Sequence, residues 1–203
     1  CNEKITGSFC MNDMLDEINQ MFNNSIQVIQ QSSSLSSEIL DAVLLIVQSI
    51  KNGNKLLVFG NGGSAADAQH ISAELIGRFK LERKSFPAIA LTTDSSILTS
   101  LANDYSFDLV FSRQCESLVN DGDVVIGIST SGNSKNVKLG MESAQKKGAK
   151  TIGLLGSNGG SIKSSSDIAI IVNSDDTANI QESHRVIYHI ICNLVEKNLS
   201  ENR

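Results

Sequence analysis

The sequence predicts an α/β protein in which helices cover both faces of an open parallel β-sheet. Five short, continuous apolar runs recur along the 203 residues, and such runs are typical of strands that are buried on both faces. Segments long enough to form helices separate the runs, and this alternation of strand and helix favours a parallel sheet. Ligands bind such sheets at the carboxyl ends of the strands, so we expect the functional residues in the loops that follow them.

Two amphipathic helices precede the first predicted strand. Apolar residues at helical spacing predict a helix over residues 13–31, and the serines at 32–34 end it. A second helix begins at Ser37 and ends at Asn52-Gly53, a typical C-terminal stop. We expect one domain over residues 13–199, with residues 13–52 as its N-terminal helical extension. Residues 1–12 are expected to lie outside the fold, either disordered or left over from cloning.

Strand and helix then alternate along the rest of the chain. The predicted strands are Lys55–Phe59, Ala88–Leu91, Val124–Ile128, Thr151–Leu155 and Ile168–Val172. The segments between them that are long enough for helices are Ala65–Arg78, Ser95–Leu118, Asn136–Lys147 and Ile162–Ser165. A last helix over residues 179–198 places isoleucines at packing positions. Three of the strands end in loops rich in glycine and serine.

Composition excludes several classes of function. Lys and Arg number 17 against 22 Asp and Glu, so the net charge of −5 leaves no basic face to bind nucleic acid. The longest aliphatic stretch near the N-terminus, Ala42–Val47, is far shorter than the about 20 residues of a membrane helix, which predicts no membrane span. The four cysteines show no CxxC spacing and no pairing pattern, which favours a reducing cytoplasm.

The loop after the first strand, Gly60-Asn61-Gly62-Gly63-Ser64-Ala65, opens a helix, so its backbone N–H groups can approach an anion or a sugar. Its glycine spacing also fits a loose dinucleotide fingerprint. That motif requires an acidic residue about 20 positions later, and the first candidate in that role, Asp94, is more than thirty residues past Gly60. Nicotinamide binding is therefore disfavoured. A tight turn without a ligand remains an alternative.

The loop after the third strand, Ser129-Thr130-Ser131-Gly132-Asn133-Ser134, combines hydroxyl donors with the free N–H groups of a helix start. That combination suits a phosphate monoester without a metal. The loop lacks the lysine of a nucleotide-binding P-loop, which favours a phosphorylated small molecule over a nucleoside triphosphate. An ordinary helix cap remains an alternative.

His70 and Glu74 lie four residues apart on one predicted helix, so both side chains can reach one point and hold a metal or a proton there. A solvent-exposed helix pair without function is the alternative. The other two histidines, His184 and His189, lie on the last helix near Gln181. Position around the helix axis alone would pair Gln181 with His184. The spacing therefore leaves open which of the two histidines belongs to the functional site.

Taken together and in order, these motifs resemble the phosphoheptose isomerases of the sugar-isomerase (SIS) domain superfamily. The resemblance runs from about residue 13 to the last helix. It rests on Gly60-Asn61-Gly62-Gly63-Ser64, His70 with Glu74, Asn103-Asp104, Ser129-Thr130-Ser131 with Ser134, and Gln181 with His184 and His189.

The resemblance implies a three-layer αβα sandwich around a flavodoxin-like, five-stranded parallel sheet. It implies a homotetramer with active sites at subunit interfaces, and a phosphorylated seven-carbon sugar as substrate. The implied reaction converts sedoheptulose 7-phosphate to D-glycero-D-manno-heptose 7-phosphate through an enediol, for lipopolysaccharide or capsule precursors.

The resemblance also assigns roles to residues. Glu74 is the base and His189 the acid, and one zinc ion per subunit, expected to be partly occupied, is held by His70, Glu74, Gln181 and His189. The residues expected to bind the phosphate are Ser129, Thr130, Ser131 and Ser134. Those expected to contact the sugar are Asn61, Gly62, Gly63, Glu74, Asn103, Asp104 and Gln181.

Two other functions compete with this hypothesis. A non-catalytic member of the superfamily that binds a replication initiator resembles the chain in the stretch from Ala65 to His70, but it lacks the carboxylate and histidine that Glu74 and His189 match. Isomerases that act on pentose or hexose phosphates are the nearer alternative, because the length of the sugar is the least specific part of the resemblance.

Overall fold

A computed structural model describes residues 11–200 of the chain, with side chains from Asp13 onward. Five parallel strands form one sheet in the order β2-β1-β3-β4-β5. They are β1 (Leu56–Gly60), β2 (Ala88–Ala90), β3 (Val124–Ser129), β4 (Lys150–Gly156) and β5 (Ile168–Val172). Each coincides with a predicted strand to within one residue at either end, so the predicted α/β class and parallel sheet are confirmed.

The strand order creates a switch point between β1 and β3, as in other flavodoxin-like sheets. Gly60 at the end of β1 pairs with Ile128 near the end of β3. The loops that follow these two strands therefore leave the sheet side by side. They are the two loops that the sequence analysis selected, and doubly wound sheets bind their ligands at this position.

Helices cover both faces of the sheet. On one face lie α2 (Ser36–Lys51), α3 (Gly63–Ile76) and α7 (Thr177–Ser200), and on the other lie α4 (Ser95–Asp104), α5 (Ser112–Leu118) and α6 (Lys135–Lys146). Alternate residues of β1 face the two layers. Leu56 and Val58 pack with the first set of helices, whereas Leu57 and Phe59 pack with the second. The continuous apolar strand is explained by this burial on both sides.

The N-terminal helix α1 (Met11–Gln31) begins two residues before the predicted start, and residues 1–10 lie outside the described residues. A 3-10 turn at Ser32–Leu35 joins it to α2. α1 packs against α7, where the Ser25 hydroxyl donates to Asn179 Oδ1 at 3.1 Å. The helical extension is thus part of the packed fold.

The helical segment Asp13–Lys51 is long and apolar enough to cross a membrane, by length and composition alone. Its most apolar 18-residue window has a mean hydropathy of 1.4, and 33% of that window is buried in the fold. Core helices of globular proteins meet the same criteria, so this is weak evidence for a membrane span. The prediction that the chain spans no membrane stays a prediction.

One predicted helix, Ser95–Leu118, is wrong. The segment forms α4, a 3-10 turn at Phe107–Leu109, and α5. Ser106 separates the helices because its backbone is extended, and its hydroxyl accepts a hydrogen bond from the N–H of Asp108 at 3.1 Å. The segment Ile162–Ser165 likewise forms only a 3-10 turn, Lys163–Ser165, which is too short to cover the sheet.

Candidate active site

The glycine loop after β1 allows α7 to approach the start of α3. Gly62 precedes α3 with a φ of +55° and a ψ of −119°, a conformation that favours glycine. A Cβ atom on Gly63 would lie 2.5 Å from Nε2 of Gln181. The amide of Gln181 therefore lies directly against this loop. Asp94, the first acidic candidate for a dinucleotide site, instead caps α4 by accepting from the N–H of Ile97 at 2.9 Å.

Asn61 forms a reciprocal amide pair with Asn136 in the first turn of α6. Each side chain donates to the carbonyl oxygen of the other at 2.9 Å, and Asn136 is buried. This pair connects the loop after β1 to the helix that follows the serine loop, so it holds the two loops at a constant distance. Asn136 was not predicted from the sequence, because its position in a helix gives no sign of its partner.

The serine loop after β3 gathers three hydroxyl groups at the start of α6. The hydroxyl of buried Ser129 lies 3.0 Å from that of Ser134 and 3.5 Å from that of Ser131. Ser134 occupies the N-cap position, but its side chain makes no capping hydrogen bond. The interpretation of this loop as an ordinary helix cap is therefore disfavoured. Three hydroxyls at the positive end of a helix dipole are instead suited to an anion.

The glycine-rich loop after β4 packs against the serine loop and forms hydrogen bonds with it. Gly132 has a φ of +65°, and a Cβ atom there would lie 2.3 Å from the carbonyl carbon of Gly159. The N–H of Ile162 donates to Gly132 O, and the N–H of Ser161 donates to Asn133 Oδ1, both at 2.9 Å. The loop after β4 thus restrains the conformation of the serine loop.

Helices α3 and α7 bring His70, Glu74 and His189 together. His70 Nε2 lies 2.9 Å from Glu74 Oε1, and the two imidazole rings are 5.1 Å apart between centroids. One potential ligand atom from each of the three residues lies within 4.8 Å of the other two. Two imidazoles and a carboxylate are a donor set found in catalytic zinc sites, so these residues fit the predicted metal.

The environment of His189 favours its neutral form. Burial lowers the pKa of His189 below its usual value, and the neighbouring His70 lowers it further. A neutral imidazole retains a lone pair that can bind a metal and an N–H that can donate to an oxygen. Both predicted roles of this residue are compatible with that state.

His184, in contrast, belongs to the core. It is fully buried, and its Nε2–H donates to the carbonyl oxygen of Leu155 at 3.0 Å. Burial lowers the pKa of His184 from 6.5 to about 4. Helical spacing left the choice between the two histidines open. In the fold, His184 packs against β4 and His189 lies beside His70.

We expect the burial of His184 to make the protein less stable in acid. Its folded-state pKa is lower than the value in the unfolded chain, so the unfolded chain takes up the proton first as the pH falls. The contribution to stability is complete above pH 6.5 and is lost towards pH 4, by about 3 kcal/mol. Urea unfolding of the wild type and His184→Gln at a series of pH values measures this loss. Parallel pH curves for the two proteins would contradict the assignment.

Gln181 is not part of the histidine cluster within one chain. It lies eight residues before His189 on the continuous helix α7, about 12 Å along the axis, and it faces Gly63 instead. Asn103 and Asp104 lie at the exposed C-terminal end of α4, where the Asn103 amide donates to Asp104 Oδ1 at 2.8 Å. A single chain therefore does not bring together all the residues predicted for the site.

This fold and site define a class of phosphosugar-binding α/β domains, with a serine loop and a glycine loop at the switch point of a parallel sheet. A family model described as SIS domain matches residues 20–156. The phosphoheptose isomerase of Citrifermentans bemidjiense is 58% identical over 187 residues, which cover 92% of this chain and 97% of that protein.

Two solved structures share the same fold at lower identity. The phosphoheptose isomerase of Francisella tularensis is 38% identical with a TM-score of 0.88, covering 91% of this chain and 98% of that one. The enzyme of Neisseria gonorrhoeae is 39% identical with a TM-score of 0.86, covering 91% and 99% of the respective chains. The chain belongs to the SIS domain family and, within it, to the phosphoheptose isomerases.

Proposed function

We propose that the protein converts sedoheptulose 7-phosphate to D-glycero-D-manno-heptose 7-phosphate, as a step in the synthesis of heptose precursors for lipopolysaccharide or capsule. The convergence of His70, Glu74 and His189 is the observation that carries this proposal. Two imidazoles and a carboxylate, groups that can act as acid, base and metal ligands, lie together in a chain that is closely related to phosphoheptose isomerases, and this supports the proposal. Its four cysteines lack a pairing pattern, which supports a cytoplasmic location.

The reaction moves two protons. Glu74 accepts the proton from C1 of the ketose while the N–H of His189 donates to the carbonyl oxygen at C2, which forms a 1,2-enediol. His189 then takes back a proton from the C1 oxygen and Glu74 gives its proton to C2, which completes the aldose and restores both groups. A neutral imidazole can act as the donor in such enolisations, which agrees with the lowered pKa of His189.

The substrate is held by the loops at the switch point. Hydroxyls of the serine loop bind the phosphate, while the glycine loop and the end of α4 contact the sugar. The phosphate-binding residues are Ser129, Thr130, Ser131 and Ser134, and the sugar-binding residues are Asn61, Gly62, Gly63, Glu74, Asn103, Asp104 and Gln181.

We expect the double substitution of Ser131 and Ser134 by alanine to raise the KM for the sugar phosphate strongly. Each hydroxyl donates a charge-assisted hydrogen bond to the phosphate, and the loss of one such bond costs about 1.5–3 kcal/mol. Steady-state kinetics measures the change. The double variant Ser96→Ala/Ser164→Ala removes two exposed hydroxyls outside the loop and should keep the wild-type KM. If the Ser131/Ser134 variant also keeps it, the phosphate binds elsewhere.

His70, Glu74 and His189 would hold a zinc ion, with Gln181 from a second chain as the fourth ligand. A carboxylate cannot be both a tightly held ligand and a free base, so Glu74 would leave the ion when it acts as the base. When bound, zinc supplies a Lewis acid that polarises the oxygens of the sugar. Zinc sites without thiolate ligands bind less tightly, so we expect partial occupancy. Elemental analysis of purified protein measures the zinc content, and a fully active protein without metal would contradict a catalytic role for the ion.

We propose a homotetramer whose subunits together complete each active site. Gln181 and His189 are too far apart in one chain to share a metal ion, but residues from two chains can meet at an interface. Helices α1 and α2 expose a large apolar surface that association would bury. Its side chains are Met14, Leu15, Ile18, Met21, Phe22, Ile26, Leu40 and Leu44. Light scattering measures the assembly, and a monomer at micromolar concentration would contradict it.

Incubation with sedoheptulose 7-phosphate, fructose 6-phosphate and ribulose 5-phosphate tests the substrate. We expect an aldose signal by NMR only from the seven-carbon sugar. Turnover of a shorter sugar alone would favour another sugar-phosphate isomerase. A regulatory protein would turn over none of them. The position of ligand atoms of Glu74 and His189 within 4.8 Å of each other supports the enzyme instead.

A further inference from the structure

We propose that Tyr188 is a positioning residue for the His70–Glu74–His189 cluster. Its hydroxyl, supported by Asp67 and Arg185, holds the His70 ring so that Nε2 faces the cluster. This inference rests on the proposed metal site and assigns a role to three residues outside it.

Tyr188 connects His70 to a buried carboxylate. The Tyr188 hydroxyl lies 2.9 Å from His70 Nδ1, 3.3 Å from Asp67 Oδ1 and 3.2 Å from Arg185 Nε. Asp67 and Tyr188 are each only 1% exposed. Asp67 also accepts from Arg185 Nη2 at 3.2 Å. Four side chains from α3 and α7 thus form one continuous hydrogen-bond network behind the cluster.

Metal binding at His70 Nε2 would fix the directions of the hydrogen bonds in this network, because the proton of His70 is then on Nδ1. A guanidinium can only donate and an ionised carboxylate can only accept, so Arg185 donates to both of its partners. The buried Asp67 carboxylate needs its second donor, which is the proton of Tyr188, because an unsatisfied buried charge is costly. The phenol oxygen then accepts the N–H at Nδ1 of His70.

This arrangement would leave the lone pair of His70 on Nε2 for a metal. Without a metal, Nε2 must instead carry a proton, because Glu74 Oε1, 2.9 Å away, can only accept. Histidines that bind metals commonly donate their other N–H to an outer partner, which fixes both the tautomer and the orientation of the ring. Here the outer partner is the phenol of Tyr188, which itself donates a hydrogen bond to the carboxylate of Asp67. The ring of Tyr188 also packs 4.7 Å from that of His189, so the same residue borders both histidines of the cluster.

Zinc affinity of the purified protein tests this role without reference to turnover. Metal-free wild type and Tyr188→Phe compete with a chromogenic chelator for zinc. We expect the variant to bind zinc about 10–100-fold more weakly, because such outer partners typically contribute that factor. The phenylalanine keeps the buried ring and removes only the hydroxyl. Tyr105→Phe is the matched control, since Tyr105 is the other tyrosine and is 58% exposed; its affinity should equal that of the wild type.

A second variant, Asp67→Asn, tests the same network from its other end and keeps the experiment decisive if Tyr188→Phe folds poorly. We expect weaker zinc binding again, and the effects of the two substitutions in the double variant should not add, because both interrupt one chain of contacts. Equal zinc affinity in the wild type and both variants would overturn the role of Tyr188 and leave the metal site intact. Failure of the wild type to bind zinc would overturn both the metal site and this role of Tyr188. Turnover of the heptose phosphate is measured separately and tests the proposed isomerase activity.

Discussion

Replacing Glu74 by glutamine is expected to lower the rate of sedoheptulose 7-phosphate isomerisation by about 10²–10⁴-fold. The amide has the size of the carboxylate but cannot accept a proton from carbon at neutral pH. Glu74 lies on the last turn of α3 and is only partly buried, so we expect the variant to fold. Turnover is measured by NMR in D₂O, where the wild type should also incorporate deuterium at carbon and the variant should not.

Two measurements make the Glu74 result specific. Glu116→Gln is the same substitution on the exposed surface of α5 and should leave the rate unchanged. The zinc content of the Glu74→Gln variant separates the loss of a base from the loss of a metal ligand: a variant that retains zinc and loses turnover has lost the base. Wild-type turnover in Glu74→Gln would remove this residue from the mechanism.

Replacing His189 by glutamine is expected to cause a loss of similar size, whereas the same substitution at His184 should leave substantial activity. The His189 ring lies 5.1 Å from that of His70 at the cluster, and an amide cannot exchange protons as an imidazole does. His184 donates to Leu155 O inside the core, and the glutamine amide can replace that hydrogen bond. The two histidines are five residues apart on α7, so each variant is a control for the other.

Activity of the His184 variant is compared per folded protein, as judged by circular dichroism, because a substitution at a fully buried position lowers stability. An active His189→Gln together with an inactive but folded His184→Gln would show that the assignment of the histidines is reversed.

Much of the fold was predictable because its signals are local. A strand buried on both faces requires a continuous apolar run, and five such runs located all the strands of the sheet. The break within Ser95–Leu118 was missed because the hydrogen bond from Asp108 N–H to the Ser106 hydroxyl competes with a helix that the local composition permits.

The sequence alone determined the α/β class, the two loops at the switch point, and the pairing of His70 with Glu74, because each depends on neighbours within a few residues. Spacing left the choice between the two histidines open and the resemblance assigned His189; the tertiary structure shows His184 buried against Leu155 and His189 in the cluster. Only the tertiary structure shows that Asn136 pairs with Asn61 and that Tyr188 contacts His70. Spacing along a helix defines which side chains share a face, but it does not define what that face packs against. That choice depends on contacts between α3, α6, α7 and the strand ends, which are far apart in the chain and meet only when the sheet has formed.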